Sequence, residues 1–253
     1  MIKARTLSYI LSLALFAPLY ANDAATHTSE HKVHWGYEGA GAPANWGKLD
    51  PKYHMCSEGV NQSPINIDRL LDAKLPTLTY DYKSASTEVV NNGHAIQVNF
   101  EGGSTVEVDG IKFELKQYHF HSPSENNING KSFPLEAHFV HLSKDGQIAV
   151  VAVMFEEGAK NDILEKIWEK MPMEPGKKAD LKLDNALELL PKDHDYYRFN
   201  GSLTTPPCTE GVRWIVLKKP STLSKEQIEK FKKVISRPNN RPLQSLGARV
   251  VIE

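Results

Sequence analysis

The 253-residue sequence has no surplus of either charge, with 30 basic side chains against 31 acidic ones and a formal net charge of −1. Without a basic field to hold a phosphate backbone, generic nucleic-acid binding is excluded. Cysteine is nearly absent. The two that exist, Cys56 and Cys208, cannot fill a four-coordinate zinc site by themselves. Internal repeats, low-complexity tracts and linkers are missing. The residues are 40% hydrophobic and 24% charged, with 16 Gly and 15 Pro, which excludes collagen, a coiled coil and a wholly disordered chain. Helical patterning is scarce. Beyond residue 21 no stretch is long and apolar enough to span a membrane.

What is present begins with a segment unlike the rest. Lys3 and Arg5 precede a nearly continuous apolar run from Ile10 to Leu19, and Ala21 follows at a cleavage point. That order reads as a secretory signal over residues 1–21. The rival is a membrane anchor, but the run falls short of the roughly 20 residues a span needs. Residues 22–30 read as a flexible leader and 31–253 as a single domain with a sizeable core. Cleavage leaves a net charge of −3 and places the product in the periplasm or outside the cell. In an exported chain two cysteines most simply form one disulfide, the alternative being two free thiols.

Alternation of period two dominates the middle of the chain. His94–Phe100 alternates apolar and polar residues after the turn signal Asn91-Asn92-Gly93. Thr105–Val108 and Lys112–Leu115 flank Asp109-Gly110, a strong hairpin cue. Leu115–His121, Leu135–Leu142, Ile148–Phe155 and Arg213–Lys218 read as further strands. Helical spacing is confined to Asp162–Met171, to the segment after the capping-box pattern Ser224–Gln227, and to a short turn at Leu187–Leu190. The expected fold is mainly β (α+β). A large twisted central sheet, mostly antiparallel and of about ten strands, carries a few short peripheral helices.

Three of the ten histidines share one geometry. His119 and His121 lie two apart in a strand, so both imidazoles point to one face, with Gln117 before them. Glu136, His138 and Val140 repeat the pattern on a later strand. Neighbouring strands could thus bring three neutral nitrogens to one point and leave one tetrahedral position open, the layout of a catalytic zinc site. Gln117 and Glu136 lie on the correct faces to accept the other imidazole N–H groups. His141 competes with His138, because it points the opposite way. Spacing alone only mildly favours His138, through its partner Glu136.

Gln117-Tyr-His119-Phe-His121 and Glu136-Ala-His138-Phe-Val-His141 resemble the metal strands of the alpha-class carbonic anhydrases. Four other stretches match the same family in order: His34-Trp-Gly-Tyr37, Gln62-Ser-Pro-Ile-Asn-Ile67, Asn91-Asn-Gly-His94 and Ser202-Leu-Thr-Thr-Pro-Pro207. The match runs from about His34 to Arg241. The signal segment and the compact loop after His121 look like the bacterial, exported branch. Ser122-Pro123 and Asn126 depart from the vertebrate pattern, leaving every ligand in place.

The resemblance implies an enzyme, a zinc lyase that reversibly hydrates CO2 to bicarbonate and a proton by attack of a zinc hydroxide. His119, His121 and His138 would hold Zn2+, and His141 would not. Thr204 would accept the hydrogen bond of the hydroxide and pass its own to Glu125, with Thr205 bordering the bicarbonate site. Val140, Val150, Leu203 and Trp214 would form the apolar wall for CO2. His94 would shuttle the proton out, along water lined by Tyr37, Asn92 and Gln97. Cys56 and Cys208 match the disulfide of exported members, and Ser63-Pro64 and Pro206-Pro207 match cis bonds. The family also implies sulfonamide and small-anion inhibitors, weak esterase activity and, among bacterial members, frequent homodimers. The rivals are a zinc hydrolase acting mainly on esters and a β-rich binding protein whose histidines are structural.

Overall fold

The computed structural model describes residues 34–184 and 186–253; the signal segment 1–21 and the leader 22–30 lie outside the described residues. The described residues open with short helical turns, including α1 (Trp46–Leu49) and α2 (Met55–Glu58), and then become strand-rich. Strands β1 (Asn66–Ile67), β2 (Leu70–Leu71), β3 (Thr79–Asp81), β4 (Ser86–Asn91) and β5 (Ile96–Phe100) come first. They are followed by β6 (Thr105–Val108), β7 (Ile111–His121), β8 (Asn127–Ile128), β9 (Leu135–Leu142) and β10 (Ile148–Glu157). Helix α3 (Asp162–Lys170) precedes β11 (Lys178–Asp180), a helical turn at Ala186–Leu189, β12 (Tyr196–Ser202) and β13 (Glu210–Leu217). The last elements are β14 (Ser221–Leu223), α4 (Lys225–Ile235) and β15 (Val251–Ile252).

Among the described residues, thirteen strands form one sheet. Its main path of ten runs β11-β4-β5-β7-β9-β10-β13-β12-β15-β2, and β14, β6 and β3 branch from it. The expectation of about ten strands therefore describes the path and misses the branches. Nine of its pairings are antiparallel and three are parallel, so the sheet is mixed. β1 and β8 form a separate parallel pair. The Asp109-Gly110 hairpin is present, with φ of 53° and 74° at its two central residues, the backbone a tight two-residue turn demands.

Both faces of the sheet are covered, and β10 shows why its sequence is apolar without alternation. Val151, Val153 and Phe155 join the larger cluster, which also contains Trp168 of α3 and Phe231 of α4. Val150, Ala152 and Met154 join the smaller one on the opposite face. The helices close the larger core. Asn161 caps α3 by accepting from the N–H groups of Ile163 and Leu164, and Ser224 and Gln227 form the expected capping box of α4.

One irregularity decides where the histidines point. In the first half of β7, Phe113 and Leu115 face the larger core; in the second half, Tyr118 and Phe120 do. The switch from odd to even positions occurs at a register shift between Leu115 and Gln117. A bulge of this kind inserts one residue and flips every later side chain. Without it, His119 and His121 would point into the aromatic core.

Candidate metal centre and active site

β7 and β9 run antiparallel with His119 opposite His138 and His121 opposite Glu136. The pairing gathers His119, His121 and His138, one ring nitrogen of each lying within 4.8 Å of the others. His141 falls on the other face, where its Nε2 meets the Tyr82 hydroxyl. The open choice between His138 and His141 thus resolves for His138.

The hydrogen bonds assign each imidazole its free nitrogen. His119 Nδ1 donates to Gln117 Oε1 at 2.8 Å. His121 Nδ1 donates to the backbone carbonyl of Asn239 at 2.7 Å. His138 Nε2 donates to Glu136 Oε1 at 2.8 Å. Each partner is an oxygen acceptor, so each engaged nitrogen carries the proton and the other presents a lone pair. The lone pairs sit on Nε2, Nε2 and Nδ1 respectively. Burial holds His119 and His138 well below the ordinary imidazole range and lowers His121 as well. All three are therefore neutral, as metal ligands must be. His121 Nε2 is buried without a hydrogen-bond partner, an orphan that a metal would satisfy. Three neutral nitrogens with satisfied second nitrogens fit zinc.

Of the two expected acceptors, both are in place. Glu136 is fully buried and takes four donors: the N–H groups of Glu125 and Asn126 at 2.7 and 2.9 Å, the Asn126 amide at 2.8 Å and His138. The third acceptor, Asn239, escaped the sequence reading because a backbone carbonyl leaves no trace in residue type. Its side chain fixes the spot: Oδ1 accepts from Ser122 N–H at 2.8 Å, and Nδ2 donates to the carbonyls of His94 and Phe120, each at 2.9 Å.

Glu125 is buried beside the ligands, its Oε2 lying 3.5 Å from His121 Nε2 and 3.9 Å from His138 Nδ1. Its other oxygen accepts the Arg241 backbone N–H at 2.8 Å. Burial pushes this carboxyl up to about 8, against the pull of the Thr204 side chain and the Arg241 N–H. A dication at the neighbouring histidines would favour its ionised form. Thr204 is buried on the turn between β12 and β13. The Cys56–Cys208 disulfide spans a sequence separation of 152 and anchors that turn. Arg241, also missed by the sequence reading, binds Gln62 Oε1, the Ser63 carbonyl and the Cys56 carbonyl at 2.8 to 3.0 Å. The expected cis bonds at Ser63-Pro64 and Pro206-Pro207 are present, and Ser122-Pro123 is cis too.

Val140, Val150, Leu203 and Trp214 belong to one apolar group on the site face. Val150 pairs with Val140 on one side and Trp214 on the other, and the Trp214 ring meets His138 edge-on at 4.9 Å. Towards solvent, a cavity of about 150 Å³ is lined by His119, His121, Thr205, Gln97, Asn92, Tyr37 and His94, among others. Larger hollows of 370 and 530 Å³ lie elsewhere, but among the described residues only His119, His121 and His138 bring their ligand atoms together. Burial drives the Tyr37 phenol far up, so it stays protonated. His94 is lowered by burial first and then by His34 and Arg237.

The sequence model of the eukaryotic-type carbonic anhydrases matches residues 41–253. A carbonic anhydrase of Pectobacterium carotovorum is 48% identical over 243 residues, covering 96% of this chain and 98% of its own. One of Neisseria gonorrhoeae is 50% identical over 250 residues, covering 98% of each. Among solved structures, the alpha-carbonic anhydrase of Thermovibrio ammonificans in complex with the inhibitor sulfanilamide is similar, with 53% identity and a TM-score of 0.85. It is matched over 87% of this chain and 99% of its own.

Proposed function

This chain belongs to the eukaryotic-type, or alpha, carbonic anhydrase family, and from that membership we propose that the three-histidine site hydrates CO2 reversibly to bicarbonate and a proton. The chain is an enzyme and zinc is its cofactor. One observation carries the reading: three imidazole lone pairs converge, each second nitrogen tied to an oxygen acceptor.

His119, His121 and His138 hold the metal. When bound, zinc supplies a Lewis acid that brings a water molecule's pKa to about 7 and so a nucleophile at neutral pH. Thr204 orients the attacking oxygen with its hydroxyl, and Glu125 receives the hydrogen bond of that hydroxyl, so a lone pair faces the substrate. Val140, Val150, Leu203 and Trp214 offer CO2 a dry apolar wall, and Thr205 borders the product. His94 accepts the proton released at each turnover, and Tyr37, Asn92 and Gln97 order water on the way. The Asn92 Nδ2 donates to Gln97 Oε1 at 3.3 Å, which holds two of these amides to one another.

Several finer points belong to the same reading. Residues 31–253 are the catalytic domain, exported after cleavage of 1–21 to the periplasm or beyond; the disulfide supports an oxidising destination. Sulfonamides and small anions inhibit, as the sulfanilamide complex of a relative suggests. Activated esters are slow side substrates. Exposed Val60, Leu243 and Val250 offer apolar surface to a homodimer, to be checked by light scattering.

Stopped-flow CO2 hydration on the mature protein, before and after zinc chelation and after zinc is restored, tests the core of this reading. Fast hydration that disappears and returns with the metal, and is lost in His119→Ala along with one bound zinc per chain, is the expected result. A folded, zinc-loaded protein that hydrates no CO2 would overturn it.

A further inference from the structure

Cys208 has a φ of 58°, in the left-handed region that costs a residue with a side chain about 1 kcal/mol or more. It lies on the turn that carries Thr204. Two backbone bonds close that turn: the Cys208 N–H donates to the Thr205 carbonyl and the Leu203 N–H to the Thr209 carbonyl, both at 2.9 Å. A residue in such a conformation persists only where its surroundings hold it there. The disulfide to Cys56 is one tie. A second runs beside it.

Gln62 Nε2 donates to the Cys208 carbonyl and to Glu210 Oε1, both at 3.0 Å. Gln62 Oε1 accepts from Arg241 Nη1 at 2.9 Å, and Arg241 Nη2 donates to the Cys56 carbonyl at 3.0 Å. The path Cys56–Arg241–Gln62–Cys208 therefore joins, by hydrogen bonds alone, the two residues that the sulfurs join. Nη1 also reaches the Ser63 carbonyl at 2.8 Å, and the guanidinium lies 5.6 Å over the ring of the fully buried Trp46. Arg241 is itself buried, and bonds from a charged donor in such surroundings are the strong kind. Its backbone serves the other half of the site, the N–H donating to Glu125 Oε1 at 2.8 Å. One residue thus grips the base of the Thr204 turn with its side chain and the Glu125 carboxyl with its main chain.

We propose that Arg241 is a positioning residue for the hydration reaction: with Gln62 it forms a polar bridge parallel to the Cys56–Cys208 bond that keeps Thr204 in register with Glu125. This rests on the reading of Thr204 and Glu125 as the pair that orients the attacking oxygen. Arg241 touches neither substrate nor metal and acts through Thr204. Because bridge and disulfide share their end points, either one holds the turn when the other is lost. Loss of both frees Cys208 to leave its left-handed conformation and lets the Thr204 hydroxyl drift from its acceptor.

The test compares kcat/KM for CO2 hydration among four zinc-loaded forms: the unsubstituted protein, Arg241→Lys, Cys56→Ser/Cys208→Ser, and the two combined. Lysine keeps the charge and loses the fork that reaches Gln62 and Cys56 together. Each change alone should lower kcat/KM about 3-fold, and both together about 50-fold, far beyond the product of the two, as expected of coupled sites. Zinc should stay at one per chain. In Thr204→Ala protein the combined changes should add no further loss, whereas a residue that only stabilised the fold would lower the rate equally in both backgrounds. Gln62→Leu breaks the same path with Arg241 left in place; it should give the same pattern and decides the matter where Arg241→Lys does not fold. Losses that simply multiply, or that recur in full in Thr204→Ala, would overturn the parallel bridge and leave the hydration reading standing. Absence of hydration from the unsubstituted zinc-loaded protein would overturn that reading, and the role of Arg241 with it.

Discussion

The backbone carbonyl of Asn239 lies 2.7 Å from His121 Nδ1, while the same residue's side chain binds the backbone of three others, Ser122, His94 and Phe120. One asparagine thus sets the tautomer of a metal ligand and ties the end of β7 to the segment bearing His94. Asn239→Ala would leave one buried N–H and two carbonyls without partners, a cost of about 3 kcal/mol in unfolding free energy. Zinc affinity should fall about 10-fold or more, because the acceptor for His121 is no longer held in place. Urea unfolding and competition with a chelating dye measure the two effects separately.

Thr204 acts on orientation, so its loss should cost rate and spare the metal. Thr204→Ala is expected to lower kcat/KM for CO2 by about 100-fold with zinc still bound at one per chain. Thr204→Ser, which keeps the hydroxyl, should retain most activity. Equal losses in both variants would show that the methyl, not the hydroxyl, matters.

The Cys56–Cys208 bond closes a loop with a sequence separation of 152. In the chain-entropy account a loop of that size contributes about 5 kcal/mol. Cys56→Ser/Cys208→Ser, or the reduced wild type, should unfold at markedly lower urea. Hydration should also fall before unfolding, because the bond anchors the turn that carries Thr204.

Acid should destabilise the fold through His141. It is fully buried, and burial pushes its pKa down to about 4, against about 6.5 in an unfolded chain. Between those values the unfolded chain binds the extra proton, so stability is present above about 6.5 and is lost as pH falls towards 4. The loss is about 1.4 kcal/mol per pH unit, and roughly 3 kcal/mol in all. The buried metal histidines, also lowered, add a loss of the same sign in zinc-free protein. Urea midpoints across this window should show a shallower slope for His141→Gln than for the wild type.

Much of this was legible in the residues. The His-x-His spacing, the Glu136 and Gln117 positions, the Asp109-Gly110 hairpin and the α4 capping box are local signals, and each sits where the sequence places it. The bulge between Leu115 and Gln117 was not legible: the two halves of β7 read as separate strands, since neither half breaks period two. The carbonyl of Asn239 and the guanidinium of Arg241 were invisible for another reason. Their partners lie 118 and 178 to 185 residues away, a distance across which residue type says nothing about contact. The role of Asn126 belongs with these, because only the fold shows that its amide serves Glu136.

Arg241 and Asn239 also fix an order of events. Every ligand histidine is synthesised by residue 138, yet the carbonyl that orients His121 and the N–H that holds Glu125 come from residues 239 and 241. Val251 and Ile252 then pair with β2, and Lys218 takes Glu253 at 2.7 Å. A chain emerging from its N-terminal end therefore carries three imidazoles for a long interval without the frame that makes them a site. Metal capture at full affinity is a property of the finished molecule, and a fragment stopped before residue 239 should hold zinc weakly even with all three ligands in hand.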